Sequence, residues 1–194
     1  MSGTISLQTN RLMLRRYRTE DALPLHEAFG LDEEMFRYSG WNPYSTEAQA
    51  LAAVKEFMEQ YMDEHFYGWA AEYEGELAGT IGAYDYDPSE NTIEIGCSVA
   101  RKFWGRGFAT EMIRAVAAYL LEEEGIGCVK AWCAEDNIGS IRAMEKAGMK
   151  LVSREEGALT VGGKTYDKLN YNCRKDRKTD ETEESRNNGS GGDY

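Results

Sequence analysis

Residues 99–111 read Val99-Ala100-Arg101-Lys102-Phe103-Trp104-Gly105-Arg106-Gly107-Phe108-Ala109-Thr110-Glu111. The stretch leaves an alternating strand over 92–99, bends through two glycines and enters a helix over 108–124 that stops at Gly125. Such a junction exposes a row of backbone N–H groups. The glycines carry no Cβ to block a ligand, the first helical amides have no internal acceptor, and the positive end of the helix dipole favours an anion. Arg101, Lys102 and Arg106 make it the densest cationic cluster before residue 174, in a chain whose 34 acidic residues outnumber 22 basic ones for a net charge of −12. On these residues alone it reads either as a pyrophosphate cradle or as a plain strand-to-helix turn.

Outward from this junction, period-two patterns predict strands over 11–17, 66–73, 76–86, 92–99, 129–134, 149–154 and 165–173. Helical patterns cover 19–30 with Thr19 as N-cap, then 46–63, 108–124, and 138–147 ended at Gly148. The order is strand, two helices, three strands, helix, strand, helix, two strands. It predicts an α+β fold, a mixed and mostly antiparallel sheet of about seven strands flanked by helices. A length of 194 residues suits one domain with a tail. The divisions are an N-terminal lead over 1–8, a domain over 9–173 and a disordered polar tail over 174–194, where almost nothing is apolar.

The tail is nearly balanced in charge, so the folded part carries the acidic excess. That disfavours a nonspecific grip on nucleic acid or anionic lipid and suits a cationic, amine-bearing partner. Four cysteines and two histidines are scattered without the spacing of a metal site or disulfide framework. Free thiols, no signal-like apolar run and no bilayer-length segment predict a cytoplasmic protein without metal or membrane partner.

Two phosphate-loop families fail on single positions. A dinucleotide fingerprint needs Gly or Ala where Thr110 stands, and an acidic residue where the next strand ends in Cys133 and Ala134. Gly162-Gly163-Lys164-Thr165 looks like the end of a P-loop, but Ala158 replaces the first glycine and a strand pattern follows. That segment reads as a hairpin turn.

A second landmark, Asn137-Ile138-Gly139-Ser140-Ile141-Arg142-Ala143-Met144-Glu145-Lys146, lies on the helix after the next strand. Together the two segments resemble the GNAT superfamily of N-acetyltransferases. Trp104, Ala109-Thr110-Glu111 and Asn137 through Lys146 look most like its RimJ/RimL-type branch. The resemblance implies a GNAT-like single domain with an acetyl-CoA cleft. The cofactor's pyrophosphate would sit on Lys102, Gly105, Arg106, Gly107, Phe108, Ala109 and Thr110, its pantetheine arm on the amides of Cys97 and Val99, with Asn137 and Lys146 completing the cofactor set. It departs from the family pattern at Lys102, where Gln or Arg is usual, and at Met144, where many members carry a tyrosine that protonates the leaving thiolate.

Acetyl transfer to an amine needs a polarised thioester carbonyl, a neutral amine and a stabilised leaving thiolate. Glu94, opposite in facing to Ile93 and Ile95, reads as the general base or as a solvated strand carboxylate. Ser140 reads as hydrogen-bond donor to the leaving sulfur or as a small helix-packing residue. Tyr38, Trp41 and Tyr84 read as walls of an acceptor pocket or as ordinary core aromatics. Cys97 alternates with isoleucines and reads as packing, not as a nucleophile. The implied activity is acetyl transfer from acetyl-CoA to a primary amine, on a small molecule or a protein N-terminus, by a monomer or homodimer. The alternative is a noncatalytic acyl-CoA-binding sensor, motivated by Met144.

Overall fold

The computed structural model describes residues 1–175, so the polar tail expected over 174–194 lies outside the described residues apart from its first two positions. Eight strands form one sheet: β1 Leu7–Gln8, β2 Met13–Arg15, β3 Tyr67–Tyr73, β4 Glu76–Asp87, β5 Thr92–Val99, β6 Cys128–Ala134, β7 Lys150–Val161 and β8 Lys164–Arg174. Their spatial order is β1-β2-β3-β4-β5-β6-β8-β7. Every neighbouring pair is antiparallel except β5 and β6, which are parallel. The helices are α1 Ala22–Leu25, α2 Glu47–Gln60, α3 Phe108–Glu122 and α4 Ile138–Ala147.

The expected α+β architecture is therefore present, with eight strands in place of about seven. The additional one is β1, two residues long and too short to leave a period. Besides Leu7, which packs against the core, polar groups tie down its surroundings: Thr4 Oγ1 donates to the Phe66 carbonyl at 2.9 Å and Trp69 Nε1 to the Ile5 carbonyl at 2.6 Å. The strand expected over 149–154 runs on to Val161 and turns at Gly162-Gly163 into β8. β7 is an edge strand exposed over most of its length, so burial imposes no alternation there.

The helix expected over 19–30 is broken into three pieces. A 3-10 turn spans Thr19–Asp21, α1 follows, and a π turn closes His26–Gly30. Arg18, not Thr19, holds the cap position, and its N–H donates to the Asp21 carboxylate at 2.8 Å. Asp21 is fixed in turn by Arg15 through two hydrogen bonds of 2.8 Å inside the protein, and Arg15 also reaches Glu72 on β3 at 2.7 Å. A buried ion pair between β2 and the helix start thus overrides the local capping preference. Thr46 does cap α2, accepting from the Gln49 amide at 3.2 Å.

The two faces of the sheet are covered by different helices. On one, Trp69, Ile81, Ile93 and Ile95 are buried and Met112 of α3 lies against Gly79. On the other, Tyr17 packs beside Thr80 and stacks on Phe57 of α2 with ring centroids 4.8 Å apart. The core is continuous between the layers.

Candidate active site

β5 and β6 run in register only over Thr92–Glu94 against Cys128–Lys130 and then separate. Beyond that point β6 stays paired with β8 and β5 with β4 as far as Val99. The sheet therefore opens into a cleft at the carboxyl ends of its two parallel strands, the place where open α/β sheets take ligands. The Ala100 amide donates to the Ala78 carbonyl at 2.9 Å. By strand alternation, the N–H and C=O of Val99, Cys97 and Ile95 then point away from β4 into the cleft. The Val99 carbonyl is already used there, accepting from Trp104 Nε1 at 2.6 Å.

At the end of β5 the chain makes a short turn over Arg101–Phe103 and passes Gly105 and Gly107 into α3. Gly105 has φ 76° and Gly107, the N-cap of α3, φ 81°. Space for a Cβ is open at Gly105, and at Gly107 its nearest neighbour would be an Arg11 nitrogen at 3.7 Å. Among the described residues, none accepts a hydrogen bond from the amides of 105–110; the first bonded one is Glu111, which donates to the Gly107 carbonyl at 3.1 Å. Phe108, Ala109 and Thr110 thus present free amides at the positive end of a 15-residue helix.

The cations around this loop divide between two depressions. One, of about 280 Å³, is lined by Tyr73, Glu74, Glu76, Lys102, Phe103 and Arg106. There Lys102 is ion-paired with Glu76, and Arg106 lies 5.4 Å from the Phe103 ring centre. Arg101 is paired with Asp32. The other, of about 380 Å³, is lined by Gly107 and Thr110 together with Asn10, Arg11, Glu111, Arg114 and Lys146. The phosphate role expected of Lys102 therefore has a competitor in Glu76, whereas Lys146 shares a depression with the loop glycine.

Arg11 and Arg114 were not singled out by sequence reading. Arg11 donates to the Arg106 carbonyl at 2.9 Å, binds Glu111 at 2.6 Å and lies 4.8 Å from the Phe108 ring centre. It buckles the loop to the turn before β2. The Thr9 hydroxyl adds a 2.6 Å hydrogen bond to Glu111. Burial pushes the Glu111 carboxyl up, but these donors outweigh it and hold the group below its usual range. Arg114 falls seven residues after Gly107, on the helical face shared with Thr110 and Glu111, a spacing that could have found it. Its guanidinium donates to the Lys146 carbonyl at 2.6 Å, and Thr110 Oγ1 donates to the Ala143 carbonyl at 3.3 Å. The first turns of α3 are thereby stitched to the C-terminal half of α4.

α4 begins beyond β6. Asn137 Oδ1 accepts from the Ser140 amide at 3.2 Å, so this side-chain oxygen serves the helix cap. Ser140 is partly exposed in the first turn of α4, while Met144 is buried in the core. Burial pushes the Cys97 thiol up to about 12, in keeping with packing rather than nucleophilic chemistry.

Glu94, Gly96 and Trp132 share one face at the mouth of the cleft, and Tyr84 joins them opposite Glu94. Trp132 Nε1 donates to Glu94 Oε1 at 2.7 Å. A Cβ on Gly96 would come within 2.8 Å of the Tyr84 hydroxyl, so this glycine makes room for the phenol. Burial, reinforced by the Glu94 charge, raises the Tyr84 hydroxyl far above its ordinary range and keeps it neutral. Tyr38 lies apart from that row: its hydroxyl donates to the Asp136 carbonyl at 3.0 Å and its ring meets Tyr166 edge-on at 5.7 Å. It pins the α1–α2 connection to the β7–β8 hairpin. Trp41, further along that connection, is 71% exposed. All four cysteines are free. Among the described residues there is no cluster of metal-ligating side chains and no helix long and apolar enough to cross a membrane.

A family model described as an acetyltransferase (GNAT) domain matches residues 11–150. YoaA of Bacillus subtilis, named an uncharacterized N-acetyltransferase, is 30% identical over 173 residues, covering 88% of this chain and 97% of its own. RimL, a ribosomal L7/L12 alpha-N-protein acetyltransferase solved with coenzyme A, superposes with TM-score 0.78 at 17% identity over 88% of this chain and 98% of its own. MccE, a microcin C7 self-immunity acetyltransferase solved with acetyl-CoA and AMP, superposes with TM-score 0.76 at 18% identity over 85% of this chain and 93% of its own.

Proposed function

The chain belongs to the GNAT acetyltransferase family, and from that premise we propose that it transfers the acetyl group of acetyl-CoA to a primary amine. The observation that carries the reading is the parting of β5 from β6 after Glu94 into a cleft whose β5 side runs to the free amides of 105–110. The residues present fit the cosubstrate: open left-handed glycines and helix-start amides for a pyrophosphate, and outward Cys97 and Val99 amides for an extended amide-bearing arm. Acetyl-CoA supplies an acetyl thioester, whose carbon bonds to the amine nitrogen as its C–S bond breaks and CoA departs as the thiol, with one proton released overall from an ammonium acceptor.

The chain's own groups supply the rest. The amides of Cys97 and Val99 anchor the arm, and one of them is placed to donate to the thioester oxygen, a contact type worth ~10²-fold in acyl transfer. Glu94 takes a proton from the acceptor ammonium, directly or through water, and Ser140 donates a hydrogen bond to the departing sulfur. Met144 only packs. Lys146, beside Gly107 and Thr110, adds positive charge at the cofactor phosphates. The acceptor is cationic and enters past Tyr84 and Trp41, with Tyr38 holding one wall; Glu94, Asp85 and Asp136 make that side acidic. RimL acts on a protein N-terminus and MccE is an immunity enzyme, so both a protein N-terminus and a small amine belong in the test.

The test is an amine panel of polyamines, amino acids, aminoglycosides and N-terminal peptides, assayed with acetyl-CoA for thiol release and acetylated product. Acetylation of one class, with loss of CoA binding in Gly107→Val, is the expected result. Tight CoA binding with no transfer to any amine would instead make the protein an acyl-CoA sensor.

A further inference from the structure

We propose that Trp132 is a positioning residue for Glu94: its indole N–H holds the carboxylate turned toward the acceptor. The inference rests on the acetyltransferase reading above and deepens it at one residue. Glu94 and Trp132 lie on neighbouring strands just where these begin to part, and their 2.7 Å hydrogen bond spans the apex of the cleft. Oε1 of Glu94 accepts from the indole, and the Tyr84 hydroxyl reaches the same carboxylate from β4, so the group is held from both flanking strands.

The arrangement continues across the sheet. Trp132 is held from its far side by Lys168 of β8, whose ammonium lies 5.0 Å from the ring centre. On the near side Tyr84 of β4 stands opposite Glu94, with Gly96 clearing the space for its hydroxyl. Four strands thus contribute one residue each to a row, Tyr84, Glu94, Trp132 and Lys168. A carboxylate on a strand edge ordinarily samples several rotamers. Here an indole donor with two torsions, itself stacked under an ammonium, selects one. The groups facing Glu94 are Tyr84 from β4, whose hydroxyl reaches the same carboxylate, Lys130 in register from β6, and Lys168 from β8 through the indole.

The experiment uses the full chain and the acceptor that the amine panel identifies. Trp132→Phe keeps a ring in place and removes only the donor. We expect kcat to fall about ten-fold with the KM and Kd for acetyl-CoA unchanged. In a Glu94→Gln background the same substitution should add nothing, because the pair acts as a unit. A second measurement is independent of activity. In the wild-type protein the indole N–H resonance lost in Trp132→Phe should lie downfield, as for a hydrogen-bonded donor, and Glu94→Gln should move it. If Glu94→Gln is slow while Trp132→Phe keeps full kcat, the positioning role is overturned and the acetyltransferase reading stands. An indole resonance that ignores Glu94 overturns it equally. If the wild type acetylates none of the amines, the reading itself fails and the inference falls with it.

Discussion

The proposed cofactor cradle over 99–111 and the proposed acceptor mouth around Glu94 sit at opposite ends of β5 and are built in opposite ways. The cradle is contiguous, and its working parts are backbone amides and two left-handed glycines. The mouth is assembled from side chains of β4, β5, β6 and β8 that are far apart in the chain. A backbone site tolerates changes of side chain but not of backbone conformation. A side-chain site tolerates neither loss of its chemical groups nor a slip of register.

The largest expected effect falls on the mouth. Glu94→Gln should lower turnover on a verified acceptor by ~10²-fold, most strongly on the acid side, with acetyl-CoA affinity nearly unchanged. Equal rates for the two proteins would reduce catalysis to positioning and oxyanion stabilisation, and erase the functional half of the contrast.

Gly107→Val comes next and falls on the cradle. At φ 81° a β-branched side chain costs ~1–2 kcal/mol of strain and intrudes on the phosphate approach, so calorimetry should show acetyl-CoA affinity down ~10-fold or more. A folded variant with wild-type affinity would remove the phosphates from this loop.

Ser140→Ala should lower kcat several-fold up to ~10-fold, the loss of one hydrogen bond to a developing charge, with little change in affinity. Met144→Leu, a near-isosteric change in the core, should keep almost full turnover and serves as its control. A slow Met144 variant and a fast Ser140 variant would exchange the roles.

Glu111 tests the buckle between the cradle and the β2 turn. Its carboxyl is held below the usual range, so its stabilising contribution is present above about pH 4.5 and is lost as pH falls toward the lowered folded value. Glu111→Gln should melt ~2–4 °C below wild type at neutral pH, with the gap closing in acid. A gap that widens in acid would contradict the assigned direction.

The smallest effects separate the two depressions. Lys146→Ala should weaken acetyl-CoA binding a few-fold, with a shallower salt dependence than wild type. Lys102→Ala should change it less, because that ammonium is already paired with Glu76. A larger loss at Lys102 would mean that the ligand draws it away from Glu76.

The difference between the regions also explains what was legible. Residues 99–111 could be read because strand alternation, glycine geometry and helix periodicity are local and lie in one stretch. Gly162-Gly163 as a hairpin turn was legible for the same reason. The helix start at Thr19 was misplaced because a buried Arg15–Asp21 pair, invisible to local propensity, sets it. Arg11 was missed since it sits a hundred residues from the carboxylate it binds, in a segment with no apolar pattern.

The sequence by itself determined the order of elements, the two-glycine turn from β5 into α3 and a carboxylate facing opposite to Ile93 and Ile95, because these follow from short-range stereochemistry and periodicity. The tertiary structure alone decided where β5 leaves β6, which cations remain near the helix start and which are absorbed by Glu76 and Asp32, and that an indole meets Glu94. Strand register and long-range ion pairing set these, and both are fixed only when the whole core packs.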